Sequence, residues 1–275
     1  MPARMTLPPT LAARLAASDR PLIGMWVCSG SAVNAEIAAG GGLDVVLIDA
    51  EHSPNTLESI LAQLQAVAAY PVTPLVRPPF GDPVVIKQYL DIGVQNLLIP
   101  MVDSVEQAET MVRAVRYPPH GIRGVGSALA RASRWNRVEG YLADAASTIS
   151  LFVQIESAAA VDHVEEIAAV EGVDGILIGP ADLAASMGHI GQQEHPDVVA
   201  GVMRSIAAAA RTGKPAGVNA FAPAAADRYV EAGAALVLVG ADVSLLAGAT
   251  EALADRFIGA TGSTAAPSTP PAPGA

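Results

Sequence analysis

Eight short runs dominated by Val, Leu and Ile punctuate the chain, at 22–27, 45–49, 73–77, 97–102, 151–155, 175–178, 216–219 and 236–239. Segments of helical spacing separate them, at 32–39, 56–69, 83–91, 105–115, 158–170, 196–211 and 224–232, with a last one at 243–257. Runs apolar on both faces and joined by helices read as parallel strands, because parallel neighbours need a crossover connection. Asp82 caps one of these helices, with Pro83 at its first position. Strict alternation implies a parallel sheet, and eight repeats imply closure into a TIM (β/α)8 barrel. An open doubly wound sheet also alternates, but it typically carries a glycine-rich dinucleotide turn after its first strand. GxGxxG is absent there. The predicted fold class is therefore an α/β barrel.

Composition narrows the partners. The chain has 275 residues, 51% of them hydrophobic and only 4% aromatic, so one large core must be filled by Ala, Val, Leu and Ile. The predicted division is a lead-in with a short amphipathic helix (1–20), one barrel domain (21–258) and a Pro/Ala/Ser/Thr-rich tail (259–275) expected to be disordered. A formal charge of −11 argues against nucleic acid or anionic membranes as partners, while leaving room for a locally basic site that binds a small anion. No segment approaches the ~18 consecutive apolar residues of a membrane span, and the start of the chain lacks the apolar stretch of a signal peptide. The single cysteine, Cys28, rules out an intramolecular disulfide, fits a reducing compartment and reads as a small buried hydrophobe. A cytoplasmic location is expected.

Barrel active sites lie where strands end. There the sequence places Asp49, Glu51 and His52 after the second strand and Arg77 at the end of the third. Gln154 and Glu156 follow on the fifth, Asp182 after a Gly179–Pro180 turn on the sixth, Asn219 on the seventh and Asp242 on the eighth. Glu156 and Asp182 emerge on one edge of adjacent strands, a seat for a hard divalent cation such as Mg²⁺ or Mn²⁺. The competing reading is that Glu156 opens one helix and Asp182 caps another. Arg77 stays charged and forks onto carboxylate or enolate oxygens; His52 is a candidate general base. The other histidines, 120, 163, 189 and 195, read as structural or solvated. Lys87 lies within a helix and Lys214 at the opposite face from the mouth, so a Schiff-base lysine is missing.

Five segments carry a resemblance: LIDAEHSPN (47–55), VRPPFGDPVVIKQYLDIGVQNLLIPMV (76–102), YPPHGIRGVGSALARASRWNR (117–137), VQIES (153–157) and GVDGILIGPADLAASMG (172–188). The chain resembles the metal-dependent class II pyruvate aldolases of the 4-hydroxy-2-oxoheptanedioate (2,4-dihydroxyhept-2-ene-1,7-dioic acid) aldolase family from about residue 21 to 257. The resemblance implies a barrel of the phosphoenolpyruvate/pyruvate superfamily and a homohexamer, a trimer of dimers with the last helix exchanged. It implies that Glu156 and Asp182 ligate Mg²⁺, Mn²⁺ or Co²⁺, with Gln154 beside them. The Gly179–Pro180–Ala181–Asp182 turn would set backbone amides against the pyruvate carboxylate. Arg77 would polarise the C2 oxygen and His52, helped by Asp49, would act as base. Asp91 would reach a neighbouring subunit's site, and Arg123 lies in the matching loop.

Two departures fall on the aldehyde half: polar Asn219 in GVNAFAP, and Cys28–Ser31, which fit no family pattern. The expected reaction is reversible cleavage of a 4-hydroxy-2-oxo acid to pyruvate and an aldehyde. The leading substrate is 4-hydroxy-2-oxoheptane-1,7-dioate, giving succinate semialdehyde in aromatic catabolism. The alternatives are a 2-keto-3-deoxyglucarate or -rhamnonate aldolase, a citryl-CoA-type lyase, and a non-catalytic barrel kept for binding or assembly.

Overall fold

In the computed structural model, which describes residues 3–258, eight strands close into one all-parallel barrel in chain order. They are β1 (Leu22–Val27), β2 (Val45–Asp49), β3 (Thr73–Arg77), β4 (Asn96–Ile99), β5 (Ser150–Ile155), β6 (Gly175–Ile178), β7 (Ala216–Asn219) and β8 (Leu236–Ala241). The helices are α1 (Leu11–Ala17), α2 (Ala32–Ala39), α3 (Leu57–Ala66), α4 (Pro83–Asp91), α5 (Val105–Val115) and α6 (Tyr141–Asp144). They continue as α7 (Ala158–Asp162), α8 (Val164–Ala169), α9 (Pro180–Ser186), α10 (Pro196–Arg211), α11 (Pro223–Glu231) and α12 (Asp242–Phe257).

Period-two alternation divides the core. Trp26, Leu47, Leu75, Leu98, Phe152, Leu177 and Leu238 fill the barrel interior, while Val46, Ile48, Val76, Ile99, Val153 and Ile176 face outward to the helices. The amino-terminal end is plugged by α1. Leu11 is fully buried inside the barrel cluster, its backbone N–H donating to Asn96 Oδ1 at 2.7 Å, and Ala12 N–H donates to Ser150 Oγ at 3.0 Å. The buried polar residues at the starts of β4 and β5 thus satisfy the unpaired donors of a helix N-terminus.

Three elements differ from the sequence reading. Strand β4 stops at Ile99 instead of 102, because Pro100 offers no N–H and Met101 turns into the left-handed region at φ 54°. The helix read over 158–170 is two, broken at His163, whose backbone leaves the helical region; nothing in the sequence marks that break. After β6 lies the extra helix α9, so Asp182 sits in a first turn and caps nothing with its side chain.

The chain falls into two compact units, one running to Asp242 and one beginning at Val243. From Val243 onward, α12 buries none of its residues. Among the described residues no helix is long and apolar enough to cross a membrane. The tail expected at 259–275 lies outside the described residues.

Candidate active site

Asp49 and Arg77 end neighbouring strands as register partners, so alternation points both into the barrel mouth. Arg77 Nε donates to Asp49 Oδ1 at 2.8 Å, and both side chains are almost fully buried. Arg77 Nη1 lies 2.8 Å from Glu51 Oε2 and 3.5 Å from Gln154 Oε1. The guanidinium also stacks over the Trp26 ring, 4.4 Å from its centre. Asp49 accepts the backbone N–H groups of Glu51 (3.1 Å) and His52 (3.2 Å) as well. It therefore holds the turn that carries the histidine and fixes the arginine, without reaching the imidazole.

Glu156 follows the end of β5 and is 2% exposed. Its Oε1 accepts the Met101 N–H at 2.7 Å, an amide aimed there by the left-handed turn after Pro100; its Oε2 accepts from the Gln154 amide. Burial pushes the Glu156 carboxyl up to about 7 against the pull of the Met101 N–H. The charges of Glu51 and Asp182 push it further, and Arg77 opposes them. Burial also raises Glu51, whose Oε2 is buried in ionic contact with Arg77 but accepts no hydrogen bond. Arg77 thus pairs directly with two carboxylates, Asp49 and Glu51, while its charge also acts on a third, Glu156. Glycine is required at 179, where a Cβ would lie 2.9 Å from both Gln154 Nε2 and Glu156 Oε2. Pro180 behind it is buried, while Ala181 and Asp182 are exposed to the mouth solvent. Buried Glu156, half-buried Glu51 with an oxygen that accepts no hydrogen bond, and exposed Asp182 supply the oxygen donors that a hard divalent cation takes.

The remaining expected residues divide. His52 stands on the rim, 66% exposed, its Nε2 3.8 Å from Glu51 Oε2. Asn219 accepts a 2.8 Å hydrogen bond from Trp26 Nε1, tying β7 to β1 past the intervening β8. Asp242 accepts the N–H groups of Cys28 (2.8 Å) and Ser29 (3.2 Å), so it fixes the β1 loop. Burial pushes the Cys28 thiol up to about 12, as expected of a small apolar packing residue.

Asp91 and Arg123 are not brought to this mouth. They pair at 3.0 Å at the amino-terminal end of the barrel, with Arg123 fully buried against Tyr117 and Tyr141. Among the described residues, a three-donor group within 4.8 Å occurs at His189, His195 and Asp197. Its own bonds account for it. His195 caps α10 by accepting the Asp197 N–H, the two rings stack at 3.5 Å, and the carboxylate lies 3.4 Å from His189 Nε2. Trp26 and Met101 were absent from the sequence-derived set. Trp26 was readable as the last inward position of β1; the Met101 turn was not.

Fold and cluster together define an α/β-barrel enzyme with its polar groups gathered at the carboxyl ends of the strands. The family model described as HpcH/HpaI aldolase/citrate lyase matches residues 22–249, and the chain belongs to that family of carbon–carbon lyases. The chain is 54% identical to a hydroxypyruvate/pyruvate aldolase of Deinococcus radiodurans, over 88% of this chain and 87% of that one. It is 52% identical to a 4-hydroxy-2-oxo-heptane-1,7-dioate aldolase of Escherichia coli, over 87% and 92% respectively. A crystal structure of an HpcH/HpaI aldolase/citrate lyase family protein from Burkholderia cenocepacia superposes with a TM-score of 0.85 at 42% identity, covering 90% of this chain and 98% of that one.

Proposed function

We propose that the chain is a divalent-metal-dependent aldolase that reversibly cleaves a 4-hydroxy-2-oxo acid, with 4-hydroxy-2-oxoheptane-1,7-dioate as leading substrate, to pyruvate and succinate semialdehyde. The observation that carries the reading is the buried Glu156 carboxylate, pressed by the charges of Glu51 and Asp182, beside the buried Arg77–Asp49 and Arg77–Glu51 ion pairs. Glu156 and Asp182 would hold Mg²⁺, Mn²⁺ or Co²⁺, which when bound supplies Lewis-acid stabilisation of charge on the 2-oxo group. Arg77, locked by Asp49 and Trp26, donates to the same oxygen as the enolate forms. His52, directly or through a water, takes the C4 hydroxyl proton as the C3–C4 bond breaks; the bond's electron pair passes into the pyruvate enolate, which gains a proton at C3 to leave as pyruvate. The first-turn amides after Gly179 orient the substrate carboxylate, and Asn219, fixed by Trp26, borders the aldehyde.

Neither lysine competes for this role: Lys87 belongs to α4, and Lys214 Nζ donates to the Val173 carbonyl at 2.7 Å. Pyruvate release should require added metal, vanish with chelator and return on replenishment. Release that persists in chelator, or a borohydride-trapped pyruvyl-lysine, refutes the mechanism.

The Deinococcus relative supports a second donor. Hydroxypyruvate should replace pyruvate in the synthetic direction, which a parallel aldehyde panel with both donors measures. Assembly as a cytoplasmic homohexamer, a trimer of dimers, belongs to the same proposal. Exposed Leu246, Leu253 and Phe257 share one face of α12, which supports helix exchange. Asp91 and Arg123 would then serve a neighbouring copy's mouth.

A further inference from the structure

Opposite the catalytic mouth, the starts of β3 and β4 open onto a cavity of about 880 Å³. Its walls include Leu64, Val67 and Gln95, together with Arg14, Arg131 and Arg134. No aspartate or glutamate is among its lining residues, in a chain whose formal charge is −11. None of the three arginines forms a salt bridge among the described residues. Tyr70, on the wall, donates to Glu36 at 3.1 Å, which leaves that carboxylate engaged at the edge.

Two of the guanidinium groups converge. Arg131 Nη1 and Arg134 Nη1 lie 2.6 and 2.9 Å from the point where a Cβ on Gly93 would sit, and Gly93 holds φ at +95°. Glycine therefore leaves both the backbone turn and the space for two cations over it. Arg131 Nη1 donates to the Ile92 carbonyl at 3.1 Å and Arg134 Nη1 to the Arg131 carbonyl at 2.7 Å; their other N–H groups meet no protein acceptor among the described residues. Burial, and then the neighbouring Arg134, bring Arg131 down to about 10, the mark of a cation without a counter-charge. Arg14 enters from α1, its Nη1 fixed by Thr73 Oγ1 (2.6 Å) and the Pro71 carbonyl (3.1 Å).

We propose that this cavity binds a small organic anion, a carboxylate or phosphate ester with a compact apolar body, at a site separate from the catalytic mouth. Paired forks suit the planar or tetrahedral oxygens of such a group. The volume falls within the range of small-molecule sites, roughly 300–1,000 Å³, and exposed Pro8, Pro9 and Ala68 among its lining residues offer apolar surface to the rest of the ligand.

The test is calorimetric titration of the full-length, metal-loaded protein at low salt with succinate and, separately, with glycerol 3-phosphate. Saturating pyruvate occupies the mouth throughout. The expected result is saturable binding of at least one probe, one per chain, with the tighter probe identifying carboxylate or phosphate as the group recognised. Arg131→Gln should weaken that binding by about tenfold or more while pyruvate release stays within about twofold, since the residue is remote from the mouth. Ala68→Trp, on an exposed part of the same wall, should block the cavity without changing any charge and decides the matter if Arg131→Gln misfolds. Affinities weaker than about 1 mM for both probes, or binding that both variants leave intact, overturn the proposal. So does an oligomer that dissociates on Arg131→Gln with no anion bound, since a neighbouring copy's acids would then fill the cavity.

Discussion

Arg77 is held by more partners than any other side chain at the mouth, which makes its chemistry separable from its charge. Arg77→Lys keeps a cation near Asp49 and Glu51 but loses the fork and the stacking on Trp26. If the guanidinium stabilises a developing enolate, kcat should fall by ~10²–10³, about 3–4 kcal/mol of barrier, with a smaller change in KM for the oxo acid. Turnover within about threefold of wild type in a folded variant, far short of that loss, leaves the arginine a structural ion pair. Glu156→Gln separates the metal from the fold. The amide keeps an oxygen for the Met101 N–H yet removes a buried carboxylate on which the charges of Glu51 and Asp182 press. Calorimetry should show metal affinity lost by about a hundredfold or more, with the metal-free melting temperature unchanged or raised. A metal affinity equal to wild type excludes Glu156 as a ligand. At this scale the polar residues at strand ends were legible, because alternation fixes which way a strand residue points. Asp49 shows the limit: its presence was readable, but its grip on the His52 backbone is a property of the folded turn. The Trp26–Asn219 bond likewise exists only once barrel closure sets β1 and β7 on either side of β8.

Among the elements, those with strong periodicity or a cap were read correctly, and those set by backbone turns were not. Asp82 and Pro83 announce α4, where Asp82 Oδ1 accepts the Val84 (2.8 Å) and Val85 (3.1 Å) N–H groups. By contrast, α9 is a short helix entered from Gly179 without a side-chain cap, and Pro180 at its first position reads equally well as a turn residue. The left-handed Met101 carries no glycine or asparagine to advertise it. Helix α1 lies between these cases, a short amphipathic segment whose task is visible only in the fold. Leu11 closes the barrel floor, fully buried. Leu11→Ala should cost about 3 kcal/mol in a urea melt, or roughly 6–12 °C in melting temperature for a chain of this size. Pyruvate release below the transition should be unchanged, because the floor and the mouth are at opposite ends. A loss under about 0.5 kcal/mol, the range of ordinary surface substitutions, shows that α1 is not part of the stable barrel.

At the scale of the whole molecule, a barrel that closes on itself has no edge strand to offer a partner, so assembly must use other surfaces. Helix α12 has the composition for it. Over 16 residues it buries none, and Leu246, Leu253 and Phe257 recur on one face at intervals of seven and four. Each such side chain, once covered, stabilises its contact by roughly 1.5–3 kcal/mol, and in a symmetric assembly every copy contributes the same face. Leu253→Glu puts a charge at the centre of that stripe, and burying an unpaired carboxylate cancels more than one leucine contributes. Light scattering on the variant should show a mass well below that of the wild-type particle. Circular dichroism should report unchanged helix content, since Leu253 lies outside the barrel core. Activity then discriminates further. If Asp91 and Arg123 act in a neighbouring copy's mouth, the dissociated variant should lose turnover even with metal saturating. If each barrel is complete alone, turnover should persist. A Leu253→Glu particle of wild-type mass means that α12 does not join the copies.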